Sequence, residues 1–596
     1  MTERPTQTAD SSDEPAQTGL VHQVATLTRA TFASPAGKAL VWLIIAVVIV
    51  VGATAYGQIR LNSWNKPFYD AMSRRDLRGF LFELGVFFVI AGFLLVLNVV
   101  QRWLAESLEL KLREGLVHSL LKEWMRPLRA FWLANSGAIG VNPDQRMHED
   151  ARHLTELSAD LGIGLLQASI LFATFAGVLW GLSSEFTLRF GERDFTIPGF
   201  MLWAAILYAS AGSLMSYWVG RGLVSRNADR YAREADLRFS LVRVNEHVDA
   251  ISLASGEADE ERRIWRNFRS VVHATRRIVW GHTNLTWVTA GFGWVTNVAP
   301  ILVAAPLYFM GKISFGGLMM AAAAFNQAQS SLRWFIDNTS AIADWRATLL
   351  RVASFRQALV TIHEPRGFES RISYQEGEPG AIEIRDLEIV SPTTADRLKE
   401  SRVTVRSGDR TLILAAHGTG KTQLFRALAG LWPWGTGTIV RPRGEQLFYL
   451  PRGTPYLPRG TLREVLAYPR KADSYAQGSY TRALYRLGVE GLARLLDENH
   501  RWDRELSQDE QLCVVFARIL IQNPPWVLID GTFGSLDDDV LEVVMDVFTN
   551  ELKGTGLIHI GGPGEAHPLF STVLHLVKSP RTVEVATVLK ERGMRP

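Results

Sequence analysis

The chain has a single cysteine, Cys513, among its 596 residues, which excludes an internal disulfide framework. Charge of one sign is equally scarce. Lys and Arg number 64 against 60 Asp and Glu, a formal net charge of +4. Bulk basicity therefore gives no argument for a nucleic-acid partner, and none is expected. A basic start backed by a short apolar core, the mark of a secretory leader, is missing as well. The opening MTERPTQTADSSDEPAQTG is polar, and residues 1–35 are expected to form a disordered cytosolic tail. What the chain does have is length and long apolar runs. It is too long for one core, so two domains or more are expected. The apolar residues pile up before about residue 340, and charge-rich, turn-rich sequence follows.

A bilayer core of ~30 Å takes about 20 apolar residues in a helix. Six stretches qualify: 39–57, 80–100, 161–182, 197–219, 285–311 and 315–336. The sixth, FGGLMMAAAAFNQAQSSLRWFI, is the least greasy and is rich in the small residues that let spans pack closely. Buried helices of a water-soluble protein would not run so long or be so many. The Arg-rich segment 220–283 and the basic segment 101–160 read as cytoplasmic. Both have helical periodicity and few breakers, so spans two to five are expected to continue as helices beyond the membrane. Arg60, Lys66, Arg74, Arg75 and Arg78 after the first span argue for the opposite orientation. They are outvoted, because two long extensions and the C-terminal domain must share one side.

The C-terminal part opens with an amphipathic helix and a linker, expected over 346–380, and a domain over 381–596. Here TLILAA (411–416) reads as a buried strand and KTQLFRALAGL (421–431) as a helix, with a glycine loop between them. That strand–loop–helix context turns a phosphate-loop pattern into a mechanism. Backbone N–H groups of Gly418, Thr419 and Gly420 can cradle phosphate at a helix N-terminus. Lys421 supplies a point charge, and the Thr422 hydroxyl can ligate Mg²⁺. Further on, PPWVLIDGTFGSLDDD (524–539) carries an apolar strand ending in Asp530, a carboxylate suited to the Mg²⁺ shell.

At these residues the chain resembles a half-size ABC transporter. RALAGLWPWGTGTI (426–439) is similar to a stretch of the ABCD and SbmA/BacA-like branch. So are WNKPFYDAMSRRD (64–76), NPDQRMHED (142–150) and EADLRFSLVRVNEHVDAISLASGE (234–257) in the membrane half. The likeness runs from about residue 40 to 580. It implies an α-helical six-span membrane domain of ABC exporter type over 36–345, then an α/β P-loop nucleotide-binding domain. It also implies ATP and Mg²⁺ as cofactors and adds Gln423, Ser507 and Asp537 to the nucleotide contacts. It places a homodimer in the inner membrane, with the nucleotide-binding domain in the cytoplasm. Peptides or bulky hydrophilic compounds are the implied substrates.

Carried over residue by residue, the likeness breaks at the motor parts. Ala415 stands where the phosphate loop has its first glycine, which is expected to strain the turn. Arg452 in YLPRGTPYLPRGTL stands where a glutamine falls in the family. The signature reads Leu506–Ser507–Gln508–Asp509–Glu510, with Asp509 in a glycine's place. Gly531 replaces the glutamate after Asp530, and Gly562 replaces the switch histidine; His559 falls early and His567 late. No catalytic residue is therefore assigned. Loss of a positioned base costs about 10²- to 10⁴-fold, so ATP binding is expected with hydrolysis impaired. A transporter driven fully by hydrolysis and a non-transporting regulatory or structural subunit are the alternatives. Glu83, inside the second run, is a candidate for proton coupling, since an ionisable group there is functional by default. Asp337 and Asp344, past the sixth run, are weaker candidates.

Overall fold

The computed structural model describes residues 20–134, 142–183, 187–190, 193–196, 198–361, 371–391, 395–416 and 418–579. Most of the expected polar tail, residues 1–19, lies outside these. The chain divides into two compact units. The first holds the described residues up to Met125 and from Asn142 to Val360; the second holds the short helix Arg129–Ala134 and the described residues from Thr361 onward.

The first unit is helical. Its principal elements are α1 Leu20–Phe32, α2 Gly37–Ser73, α3 Leu77–Trp124, α4 Ala151–Leu182 and α5 Phe200–Glu246. They are followed by α6 Glu257–Thr296, α7 Ala299–Phe309, α8 Phe315–Asp337 and α9 Thr339–Thr361. The expected tail is corrected by α1: a 3.6-residue apolar stripe buries Leu27 and lays this helix against α2 and α3. α3 has 48 residues, about 70 Å at the α-helical rise, more than twice a bilayer core. Trp42, Ile49, Phe88, Val89, Leu95 and Leu207 are large apolar side chains exposed on the outside of these helices. Such a surface is suited to lipid rather than water.

Five helical stretches are long and apolar enough to cross a membrane: Gly37–Ser73, Leu77–Trp124, Pro143–Leu182, Phe200–Glu246 and Glu257–Phe309. The fifth is interrupted at Asn297–Val298, where Pro300 lacks the N–H that would continue the ladder. The sixth expected run forms α8 but is not among the five. It packs on α2, α4, α5 and α7, burying Gly316, Gly317, Ala321, Ala322, Ala324 and Ala328. Its low hydropathy follows from facing protein rather than lipid. Asp70 near the end of α2 caps it, accepting the Ser314 hydroxyl at 2.9 Å and the Gly316 N–H at 2.8 Å.

The second unit is built on one mixed sheet. Its strands are β1 Ser373–Gly377, β2 Ala381–Val390, β3 Ala395–Leu398, β4 Arg402–Arg406, β5 Arg410–Ala415, β6 Gly435–Pro442, β7 Leu447–Leu450, β8 Trp526–Asp530, β9 Gly556–Gly561 and β10 Thr572–Lys578. The order is β1-β6-β2-β3-β10-β5-β9-β8-β7, with β4 on β2. β10, β5, β9, β8 and β7 are mutually parallel. β5, β8 and β9 are buried almost throughout, as strands covered on both faces must be. Over the expected helix and linker of 346–380, helix runs to Thr361, and the linker is corrected at its far end, where β1 already pairs with β6. β1 reads SYQEG and is an exposed edge strand, so no apolar alternation announced it.

Candidate functional site

Parallel pairing sets the site. The carboxyl ends of β5, β9 and β8 lie side by side, so the loops after Ala415, Gly561 and Asp530 open on one edge of the sheet, where open α/β sheets bind ligands. From β5 the chain passes through Gly418, held at φ +76°, into α10, Lys421–Leu428. Ala415 corrects an expectation. It is the last residue of β5, buried, paired with Leu576 and not at positive φ. Its Cβ strains nothing; the left-handed turn falls three residues later, on a glycine.

The cradle donors are already engaged within the fold. Gly420 N–H donates to Asp396 Oδ2 at 3.0 Å, Thr419 N–H to the Ala416 carbonyl at 3.3 Å, and Lys421 N–H to the Thr419 carbonyl at 2.8 Å. Asp396, buried on β3, was not foreseen, since nothing near it in the sequence marks it as a neighbour of the loop. Gln423 lies on the first turn of α10, beside Gly420.

Asp530 is 1% exposed, and neither carboxylate oxygen makes a hydrogen bond of full geometry, although the Thr422 hydroxyl lies close enough to favour the charged form. Burial pushes its carboxyl above the usual range, against the pull of the Thr422 hydroxyl, Arg452, His559 and Lys421. A buried carboxylate left open beside a threonine hydroxyl is a donor set that fits Mg²⁺. That ion takes few protein oxygens and completes its shell with phosphate and water. No cluster of three His, Cys, Asp or Glu side chains forms a cage among the described residues. Thr422, Asp530 and Arg452 border a cleft of about 580 Å³ that runs along α10 past Phe425, Arg426 and Tyr449.

The two glycines at the positions expected to hold a base and a switch histidine differ in kind. Gly531 stands at φ +60°, and a Cβ there would lie 3.6 Å from Arg452 Cδ. A glutamate would be strained and would meet a guanidinium. Gly562 has φ −90° and ordinary room for a side chain, with Lys421 Nζ 3.7 Å from its Cβ position. His559 is fully buried on β9, against the Phe533 and Phe570 rings, with Nε2 2.7 Å from Glu565 Oε2. Glu565 also accepts the Gly562 N–H at 2.8 Å. Burial works to raise its carboxyl, but His559, the Gly562 N–H and the Lys421 charge hold it below the usual range. Glu565 is the second functional candidate that sequence reasoning missed. His567 accepts the Leu569 N–H within its own turn.

The signature residues serve their own helix, α11, Gln508–Gln522. Ser507 Oγ accepts the Glu510 N–H at 3.3 Å, and Glu510 Oε2 accepts the Ser507 N–H at 2.9 Å. This capping box was present in the sequence as Ser-x-x-Glu. Asp537 is exposed at the N-cap of α12, Asp538–Thr549, without a side-chain cap bond.

In the first unit Glu83 is not an isolated carboxyl in an apolar span. It lines a pocket of about 380 Å³ with Lys66, Asp70, Arg74 and Asp76, because α2 stays helical to Ser73 and lays its charged end beside the start of α3. Asp337 pairs with Arg333 at 3.3 Å, and Asp344 with His153 at 2.7 Å.

Residues 27–309 match the family model described as ABC transporter transmembrane region 2, and residues 398–534 that described as ABC transporter. This is a half-size ABC transporter. It is 26% identical over 528 residues to the inner membrane ABC transporter ATP-binding protein YddA of Escherichia coli, covering 88% of this chain and 91% of that one. It is 27% identical over 565 residues to the chloroplastic ABC transporter D family member 2 of Arabidopsis thaliana, covering 83% and 77%. A solved bacterial Atm1-family ABC exporter with ATP bound superposes with a TM-score of 0.67 at 15% identity, covering 93% of the transporter and 99% of that chain. The transporter thus has the exporter-type fold, a helical membrane domain followed by an α/β nucleotide-binding domain.

Proposed function

We propose that the protein is one half of a homodimeric inner-membrane transporter, SbmA/BacA-like in its branch, that binds Mg-ATP and hydrolyses it slowly. Lys421 and the loop donors would hold phosphate, Gln423, Ser507 and Asp537 would contact nucleotide, and Thr422 and Asp530 would hold Mg²⁺. Bound Mg²⁺ would neutralise charge on the outer phosphates. The observation that carries the reading is at Gly531: no carboxylate stands next to Asp530, and a guanidinium borders that space. Peptides or bulky hydrophilic compounds are the proposed cargo, on the likeness of the membrane-half motifs. The test is ATP binding and turnover by the purified protein in lipid, compared with Lys421→Ala. Binding with little turnover supports the proposal, and ordinary turnover refutes it. A Gly531→Glu variant alone is a poor revertant, because the backbone is left-handed there and Arg452 would pair with the new carboxylate. Gly531→Glu with Arg452→Gln is the better comparison.

A second reading, transport driven fully by hydrolysis, is favoured by Glu565. This carboxylate, tied to a buried imidazole and near Lys421, is a substitute base. Under that reading Glu565→Gln abolishes turnover while ATP still binds. If slow hydrolysis leaves transport to a proton gradient, Glu83 is the proposed proton carrier.

A further inference from the structure

We propose that Arg452 is the residue by which this site tells nucleoside triphosphate from diphosphate. The inference rests on the reading that the site holds Mg-ATP, and it concerns which side chain reads the outer phosphate.

The placement follows from register. β7 and β8 are parallel, with Leu450 opposite Ile529. Two residues further along each chain stand Arg452 and Gly531, so the two loops leave the sheet level with each other. The Cβ position of Gly531 lies 3.6 Å from Arg452 Cδ and 3.8 Å from Nε. The chain turns directly after Arg452 at Gly453, φ +96°. The guanidinium therefore borders the cleft that Thr422 and Asp530 also line, on the side where Mg²⁺ would sit. Its charge reaches Asp530, whose carboxyl it helps to stabilise.

Chemistry supplies the selectivity. Guanidinium is charged at every relevant pH and offers a planar fork of donors that matches phosphate oxygens bidentately. A triphosphate carries one more phosphoryl group and more negative charge than a diphosphate. A glutamate at position 531 would pair with Arg452 and cancel this attraction, whereas Gly531 leaves the guanidinium available to ligand. Arg452 touches no reacting bond in this account. It sets affinity, so substituting it changes discrimination rather than the retention of nucleotide as such.

The experiment measures equilibrium affinities for Mg-ATP and Mg-ADP, by displacement of a fluorescent nucleotide, on the full-length protein in lipid nanodiscs. Wild type, Arg452→Gln, Arg452→Lys and Lys421→Ala are compared. Arg452→Gln is expected to cut the preference for ATP over ADP about tenfold, the scale of a lost charge-assisted hydrogen bond, by weakening ATP while sparing ADP. Arg452→Lys restores part of it, returning the charge without the fork. An unchanged ATP-to-ADP ratio in Arg452→Gln, or equal weakening of both nucleotides, overturns the proposal while leaving the binding site itself standing. Failure of wild type to bind either nucleotide, with Lys421→Ala no different, overturns both this proposal and the reading beneath it.

Discussion

At the scale of single residues, the phosphate loop holds a carboxylate where it would hold an anion from outside. Asp396 accepts the Gly420 N–H at 3.0 Å from a buried position. Phosphate entering the cradle meets a like charge in a poorly screened place, a repulsion of about 1 kcal/mol or more at an effective dielectric near 20. Asp396→Asn keeps an oxygen for the Gly420 N–H and removes the charge. It is expected to tighten Mg-ATP binding about fivefold to tenfold, read by equilibrium titration. Weaker binding in this variant would mean that Asp396 supports the loop rather than competing with ligand. The sequence made Lys421, Thr422 and Asp530 legible because each follows a local pattern. Asp396 and the Arg452–Gly531 pair were not legible, because their partners are brought close only across more than twenty residues of chain; Glu565 was missed because no local pattern marks its pairing with His559, six residues back. Ala415 was misjudged for a related reason: the pattern says which residue type is usual there, not which φ the backbone needs.

Among the elements, the membrane-half motif NPDQRMHED acquires a physical role. Asp150 closes the π-turn before α4, is 5% exposed and accepts Arg146 Nη1 at 2.5 Å. It also accepts Arg351 Nη2 from α9 at 2.9 Å. One buried carboxylate thus ties the start of α4 to a helix two hundred residues later. Asp150→Ala removes the carboxylate from two guanidinium groups that still reach solvent, a loss of about 1–2 kcal/mol. It is expected to lower the unfolding midpoint in detergent well below that of the exposed-site control Asp537→Ala. Equal midpoints would show that solvent replaces the carboxylate at no cost. Long periodic helices and alternating buried strands were readable in advance. α1 was hidden inside a polar tail and β1 inside an apparent linker, whereas α8 was foreseen as a helix but is too low in hydropathy to count among the crossing stretches. These are short, edge or protein-facing elements, where the apolar signal is weakest.

At the scale of the whole molecule, a membrane domain and a nucleotide-binding domain of recognisable family are joined, and in the second Gly531 and Gly562 stand where a base and a switch histidine are expected. If a proton gradient drives uptake, Glu83→Gln abolishes it and Lys421→Ala leaves it largely intact in a vesicle assay with an imposed gradient. The reverse pattern assigns the work to ATP. The charged surroundings of Glu83, with Lys66 and Arg74 beside it, make it part of a polar network rather than a lone carrier, so Asp70→Asn is expected to impair the same uptake. The central claim is that this domain binds ATP and cleaves it poorly, and it is tested most directly by measuring Mg-ATP affinity and vanadate-sensitive turnover together on the purified protein in lipid. The account predicts binding that Lys421→Ala weakens, with turnover at least about a hundredfold below that of a relative carrying glutamate after the Walker B aspartate. Turnover at an ordinary rate, abolished by Lys421→Ala, would contradict it.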